Sequence, residues 1–334
     1  MKVAVIGCGA IGGLFLGYLS DKEVDISGVV RDSQSKALSK EGLLIEGIRG
    51  QKKYKVRVET KLSKEIELAI FATKINDIEE AVKTNLDYLK DSIVLTTQNG
   101  IAADYILSKY FPKENIATGI VMFGGTFNPP NEIIHNFEGD LIIGNIFDKE
   151  IKGLDEVKET LSEAFTVSKL DNIKGAKYLK VFINLNNCIP AILGLSMQET
   201  FSDLELAELA IKLNKEAHEV VTASGIELVS LPTYPKERLQ GLVSMEEPEA
   251  ARLFSKIMVS LSDKPLYGSI LQSIKRGKKS EIDYINGEIV NLAKKNNFQA
   301  PLNEKTVELV HKVEEKNRFF SKEDLKGALS YEKL

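Results

Sequence analysis

Cysteine is nearly missing from this sequence: two residues in 334, Cys8 and Cys188, far apart and in no CxxC or Cys/His cluster. A disulfide framework and a zinc site are therefore not indicated, and a reducing cytoplasm is the expected setting. Charge of one sign is missing too. With 44 Lys and Arg against 48 Asp and Glu, the net charge of −4 gives no general attraction to nucleic acid or to an anionic membrane. Any anion bound here must be held by a local site. No window supplies the roughly 20 uninterrupted apolar residues of a membrane span; even the 181–195 run contains Asn184, Asn186, Asn187 and Pro190. The N-terminal MKVAVIGCGAIGGLFLGYL comes nearest to an export segment. It has a single basic residue, no distinct small-residue cleavage segment, and glycines spaced as in a turn, so export is not expected. Internal repeats and low-complexity linkers are absent as well. What remains, 43% hydrophobic and 28% charged residues, is ordinary for a soluble globular chain long enough for two domains with their own cores.

The first half alternates strand and helix patterns. Residues 2–6, KVAVI, form a short β-branched run ending at Gly7, and an amphipathic helix starts near Ala10. Between them Gly7-Cys8-Gly9-Ala10-Ile11-Gly12 has the GxGxxG spacing of a dinucleotide turn. Its first glycine permits the bend, the second lets a pyrophosphate approach the backbone, and the third lets helix pack on strand. Cys8 is expected only to pack. A second strand, 25–30, runs into Arg31-Asp32-Ser33-Gln34-Ser35-Lys36, where this fold separates NAD from NADP. Arg31, helped by Ser33 or Lys36, favours NADP(H). Asp32 speaks for NAD, or is a helix cap or loop residue. Residues 43–59 read as a hairpin around Arg49-Gly50, and 66–74 and 92–100 as buried parallel strands. Ligands of open α/β sheets bind beyond the carboxyl ends of strands, which makes Lys74 and Asn99 ligand-facing positions, although Asn99-Gly100 also reads as a turn dipeptide. Helices are expected near 76–89, 101–111 and 150–164, extended segments over 116–145 complete the sheet, and 165–170 is its last strand. His135 is read as structural.

From Ile173 onward the periodicity is helical: 174–195, 202–223, 245–261, 281–297, 303–318 and a short last element, with 226–240 as a loop or flap. The expected fold class is α/β: a Rossmann-type dinucleotide-binding domain over 1–172, then an all-helical substrate and catalytic domain over 173–334. The 177–195 stretch is apolar apart from Lys180, Asn184 and Asn187, whose offsets of four and seven put them on one helical face. Such groups either satisfy one another or face a wet cleft, because each unpaired buried polar group costs roughly 1–3 kcal/mol. In the second case Lys180 faces the cofactor. Ser280 is a plausible N-cap for a helix starting at Glu281.

Taken together, GCGAIG, Arg31, Lys74, Gln98-Asn99-Gly100, Lys180 with Asn184, and Ser269 with Glu281 in SILQSIKRGKKSEIDYING resemble the ketopantoate reductase family. The resemblance spans nearly the whole chain. It implies NADPH-dependent reduction of 2-dehydropantoate to pantoate on the route to pantothenate and coenzyme A. It also implies Lys180 as general acid, Glu281 on the distal hydroxyl of the substrate, Asn184 and Ser269 as substrate contacts, Lys74 by the cofactor, and Asn99 near the nicotinamide or substrate. Where the family commonly has a second asparagine, eight residues after the lysine, this chain has Cys188, with Asn187 one residue earlier as a substitute. Where the family often has an aspartate, it has Ser273.

The residue types suit that chemistry. Hydride delivery to a 2-keto carbonyl develops an alkoxide, which a cationic donor stabilises and then protonates. A nearby carboxylate such as Glu281 is expected to keep the lysine charged despite burial. No metal is called for. The partner expected is a small 2-keto acid, not nucleic acid or a membrane, and a homodimer is left open. Two other readings stand beside this one: an NADPH-dependent reductase of another branched 2-keto acid, and a non-catalytic NADP(H)-sensing protein.

Overall fold

The computed structural model describes residues 1–329, which fold as two compact units, Met1–Ile173 and Lys174 onward. The first unit contains, in order, β1 (Lys2–Ile6), α1 (Ala10–Ser20), β2 (Asp25–Val29), α2 (Asp32–Glu41), β3 (Leu43–Gly47), β4 (Lys52–Tyr54), β5 (Val58–Glu59), β6 (Leu68–Phe71) and α3 (Ile75–Asn85). It continues with β7 (Ile93–Thr96), α4 (Ala102–Leu107), β8 (Ile116–Val121), β9 (Gly124–Asn128), β10 (Glu132–Phe137), β11 (Leu141–Gly144), α5 (Leu154–Ser162) and β12 (Val167–Lys169).

Eight strands form the main sheet in the order β12-β11-β8-β7-β6-β1-β2-β5. The five from β8 to β2 run parallel to their neighbours, and β11 is antiparallel to β8. β1 and β6 are apolar on both faces and buried but for Lys2, as strands covered on both sides must be.

The hairpin expected over 43–59 forms only as β3 and β4, residues 43–54, while Val58 and Glu59 form β5 beside β2 in the main sheet. β3 and β4 do not join that sheet, and neither do β9 and β10. These four make a second sheet, β4-β3-β10-β9, in which β3 and β10 pair parallel. The extended segments over 116–145 are thus shared between two sheets instead of completing one. α1 packs against this second sheet through its glycines. A side chain at Gly13 would sit 2.1 Å from Ile133 Cδ1, and one at Gly17 would sit 2.4 Å from Ile45 Cδ1. His135 on β10 is buried, with Nδ1 2.7 Å from the Tyr18 hydroxyl.

The second unit is helical: α6 (Ile173–Leu185), α7 (Cys188–Leu193), α8 (Met197–Phe201), α9 (Leu204–Ala223), α10 (Lys236–Ser244), α11 (Glu247–Val259), α12 (Ser269–Lys275), α13 (Asn286–Lys295), α14 (Pro301–Lys316) and α15 (Lys322–Ala328). No helix among the described residues is long and apolar enough to cross a membrane. α9 is the longest, capped by Asp203, whose carboxylate accepts from Glu205 N at 3.0 Å. Its buried stripe carries one amide, Asn214.

Two of the expected helices differ in the structure, and α8, α10 and α12 are not among those expected. The 174–195 helix is broken after Leu185. Pro190 has no N–H to give a continuous helix at residue 186, so α6 stops and α7 restarts at Cys188. Asn214 Nδ2 then donates to the Asn186 side chain at 3.1 Å in the gap. Likewise no helix begins at Glu281. Ser280 Oγ accepts from Ile282 N at 3.3 Å, but the chain makes only a single 3-10 turn, Ile282–Tyr284, before α13. The 226–240 stretch is a loop only to Pro235. Leu231 and Tyr234 close it with a pair of 3.0 Å backbone hydrogen bonds, and α10 comes next.

Candidate active site

The glycine turn after β1 is shaped for close approach. Gly7 has φ of +91°, and a side chain there would meet Thr73 Cγ2 at 2.6 Å, so only glycine makes this bend. A Cβ on Gly12 would lie 2.0 Å from the Gly7 carbonyl oxygen. Gly9 is different: a Cβ there meets nothing within 4 Å. The protein's own packing does not require glycine at this position. The open face lies just before Ala10 and Ile11, at the start of a helix that no side chain caps. Unpaired N–H groups and the helix dipole favour an anion there, and the residues present fit the pyrophosphate of a dinucleotide. Cys8 contributes backbone and packing. Its thiol is buried and pushed up to about 12 by burial, and its carbonyl accepts from Gln34 Nε2 at 2.7 Å.

Because β2, β1, β6 and β7 are successive neighbours, their carboxyl ends bring Arg31, the glycine turn, Thr73-Lys74 and Asn99 to one edge of the sheet. Arg31 is 87% exposed, with its guanidinium 3.5 Å from Asp77. Lys36 does not assist it; Lys36 pairs with Asp32 at 2.8 Å across one turn of α2. Asp32, the residue that speaks for NAD, is thereby engaged as well. Lys74 is exposed at the start of α3, and Asn99 is half-buried before Gly100. Gln98 has a role that strand patterning does not reveal: its Nε2 donates to the carbonyls of Phe71 and Thr73, each at 2.9 Å, tying the end of β7 to the end of β6.

In the second unit, Lys180 lies on α6 one turn after Lys177, which is fully buried. Its ammonium is pulled down from 10.5 to about 8, first by burial and then by the charge of Lys177. The carboxylate support expected from Glu281 is not found among these influences; every group acting on Lys180 lowers it. Asn184 and Asn187 are brought together across the helix break. Asn187 N–H donates to the Asn184 carbonyl at 3.0 Å, and its Nδ2 lies 3.4 Å from Asn184 Oδ1. The shared helical face assumed for them is therefore not what joins them. Asn187 also packs on Gly268, where an added Cβ would lie 2.9 Å from Asn187 Cγ. This sets it beside Ser269, which is exposed at the start of α12 with Ser273 one turn on. Glu281 is half-buried at the entry to the 3-10 turn.

Cys188 is a packing residue. Burial pushes its thiol up to about 12, its Sγ donates to the Leu185 carbonyl at 3.0 Å, and it accepts from Asn286 Nδ2 at 3.7 Å. Asn286, which also donates to Asn303 Oδ1 at 3.0 Å, anchors the EIDYING segment to the start of α7. Tyr178 hydroxyl donates to Glu288 at 3.1 Å, which ties α6 to α13.

A mainly parallel sheet with a glycine turn after its first strand, followed by a helical unit, defines a Rossmann-type dinucleotide-binding protein with an appended helical half. Two family models match: Ketopantoate reductase PanE/ApbA over residues 3–147, and Ketopantoate reductase PanE/ApbA C terminal over residues 172–314. The 2-dehydropantoate 2-reductase of Pyrococcus horikoshii is 30% identical over 310 residues, covering 91% of this chain and 94% of that protein. That of Archaeoglobus fulgidus is 25% identical, covering 94% and 98%. The fold is shared with a D-mandelate dehydrogenase solved with NADH and anilino(oxo)acetate (TM-score 0.81, 24% identity, 95% and 99% coverage). It is shared equally with a PanE/ApbA family ketopantoate reductase from Ralstonia eutropha (TM-score 0.79, 24% identity, 95% and 99% coverage). The chain belongs to the ketopantoate reductase family.

Proposed function

We propose that this protein is an NADPH-dependent reductase that converts 2-dehydropantoate to pantoate, with the first unit holding the dinucleotide and the second supplying the acid. Lys180 is the observation that carries the reading. An ammonium lowered to about 8 is still charged at neutral pH yet gives up its proton more readily than an ordinary lysine, which is what a general acid requires. Family membership supports the substrate. NADPH preference is supported by Arg31, an exposed cation after β2, and by the engagement of Asp32 with Lys36.

When bound, NADPH supplies a hydride for the C2 carbonyl carbon. Lys180 then has two tasks: its charge stabilises the oxygen as it becomes an alkoxide, and its proton completes the hydroxyl. Solvent returns the proton to the neutral amine. Asn184, Asn187 and Ser269 orient the substrate, and Glu281 accepts a hydrogen bond from its distal hydroxyl. Lys74 would lie by the dinucleotide, Asn99 near its nicotinamide or the substrate, and the 7–12 turn would hold its pyrophosphate.

Cys188 and Ser273, where the family commonly has asparagine and often aspartate, favour a second reading with the same chemistry on another branched 2-keto acid. Glu281→Gln separates the two. A site built to hydrogen-bond a hydroxyl discriminates against its absence, so the change is expected to lower kcat/KM for 2-dehydropantoate by roughly 100-fold while leaving 2-oxoisovalerate, which lacks that hydroxyl, within about threefold. Equal losses on both substrates would remove Glu281 from hydroxyl recognition and favour the second reading.

A further inference from the structure

A cluster outside this set of residues bears directly on Glu281. His311, on α14, is held on both ring nitrogens: Nε2 is 2.8 Å from Asp283 Oδ1, and Nδ1 is 3.1 Å from Glu314 Oε2. The other oxygen of Glu314 accepts from the Ser280 backbone N–H at 2.7 Å. One imidazole therefore links the residue before Glu281 to the residue two after it. Between them Ile282 is fully buried, and the Glu281 carbonyl accepts from Tyr284 N at 3.0 Å. We propose that His311 is a positioning residue for Glu281, a proton-dependent clip that fixes the 280–284 segment and thereby sets how firmly the substrate's distal hydroxyl is held. This rests on the role given to Glu281 above.

Both ring nitrogens face carboxylates, and only the imidazolium can donate to two acceptors. A neutral ring carries one N–H and must release one side of the clip. Burial is the largest single influence on His311 and lowers it, but Asp283 and Glu314 together outweigh it and leave the ring above its ordinary value. Glu308, one turn earlier on α14, is paired with Lys305 and Lys312, and Tyr284 of the 3-10 turn is raised by burial and then by the charges of Asp283 and Glu281. Glu216 of α9 bonds the backbone at the start of α14, and Glu288 of α13 bonds Tyr178. A folded-state value above the unfolded one makes the clip complete below about pH 6.5 and loosens it as pH rises through the raised value.

The sequence has three histidines, and His135 and His218 are pushed down by burial, so an imidazole NMR titration distinguishes His311 without mutation. The test combines that titration with KM for 2-dehydropantoate across pH in the wild type, His311→Gln and His311→Arg. One histidine is expected to titrate above 6.5, and KM to rise about five- to tenfold through that transition. His311→Gln should show the raised KM at every pH, whereas His311→Arg, a permanent cation, should keep KM low and nearly flat. A fall of kcat as pH rises through about 8, the value to which Lys180 is lowered, should persist in both variants.

A His311 that titrates at or below 6.5, or a His311→Gln enzyme with wild-type KM at pH 6.5, would overturn the proposal. Should the wild type fail to reduce 2-dehydropantoate, the role of Glu281 falls instead. Amide exchange of Ser280 to Tyr284 at low and high pH then decides the clip alone, and protection that does not fall with rising pH refutes it.

Discussion

Lys180→Ala is expected to lower kcat by roughly 10³-fold, the middle of the span for a positioned general acid, while NADPH affinity changes less than about threefold. The two effects should separate because the role proposed for the ammonium is on the oxygen that gains charge, whereas the residues proposed to bind the dinucleotide are the 7–12 turn and Arg31. The wild-type pH profile carries the same signature. Only the protonated amine can complete the hydroxyl, so kcat should be level below neutrality and fall as pH rises through about 8. Lys180→Arg keeps a charge but cannot release its proton at these pH values, and should recover part of the loss while abolishing that fall.

Stability should move the other way. A folded-state value of about 8 against an ordinary 10.5 means that the folded protein binds this proton less tightly than the unfolded chain, a cost of at most about 3 kcal/mol. The cost is complete below about pH 8 and vanishes as pH rises through 10.5, where both states are neutral. Lys180→Met should therefore raise Tm at pH 7 while eliminating activity, a trade found where a site keeps a strained group for function. Steady-state kinetics and thermal denaturation of the same three variants check both statements. An alanine variant with near wild-type kcat would remove Lys180 from the reaction.

The second large effect concerns two glycines only three residues apart. Gly12→Ala puts a Cβ where the Gly7 carbonyl oxygen stands, and backbone cannot yield as a side chain can. Gly9→Ala meets nothing in the protein. Gly12→Ala is thus expected to lose about 2–4 kcal/mol of stability along with cofactor binding, as overpacking against a fixed backbone does. Gly9→Ala should keep Tm within about 2 °C yet weaken NADPH at least about 30-fold, because its methyl would occupy the approach proposed for the pyrophosphate. Calorimetric unfolding beside NADPH fluorescence titration separates the two. Unchanged NADPH binding in Gly9→Ala would mean that the open face before α1 is not where the pyrophosphate lies.

The glycine turn, the central strands and the helical second half were legible in the sequence because each is local: a glycine spacing, a β-branched run, a 3.6-residue period. The second sheet was not. Alternation identifies β3, β4, β9 and β10 as strands but says nothing of their partners, and the parallel pairing of β3 with β10 joins segments far apart in the chain. Gly13 and Gly17 were the available signal, since glycines along one face of a buried helix mark something that packs closely. The break after Leu185 was signalled by Pro190, which apolar periodicity overrides when read alone. The amine of Lys180 was legible as a candidate, but not its displacement, which arises from burial and from Lys177 on the preceding turn. His311 gave no signal: its carboxylates come from its own helix and from a turn 28 residues away.

The most direct test of the central claim is the initial rate of nicotinamide oxidation by the wild-type protein, with 2-dehydropantoate and with pyruvate, each in NADPH and in NADH. The rate with 2-dehydropantoate and NADPH should exceed each of the other three by at least about tenfold. Equal rates on the two keto acids, or none on either, would contradict it.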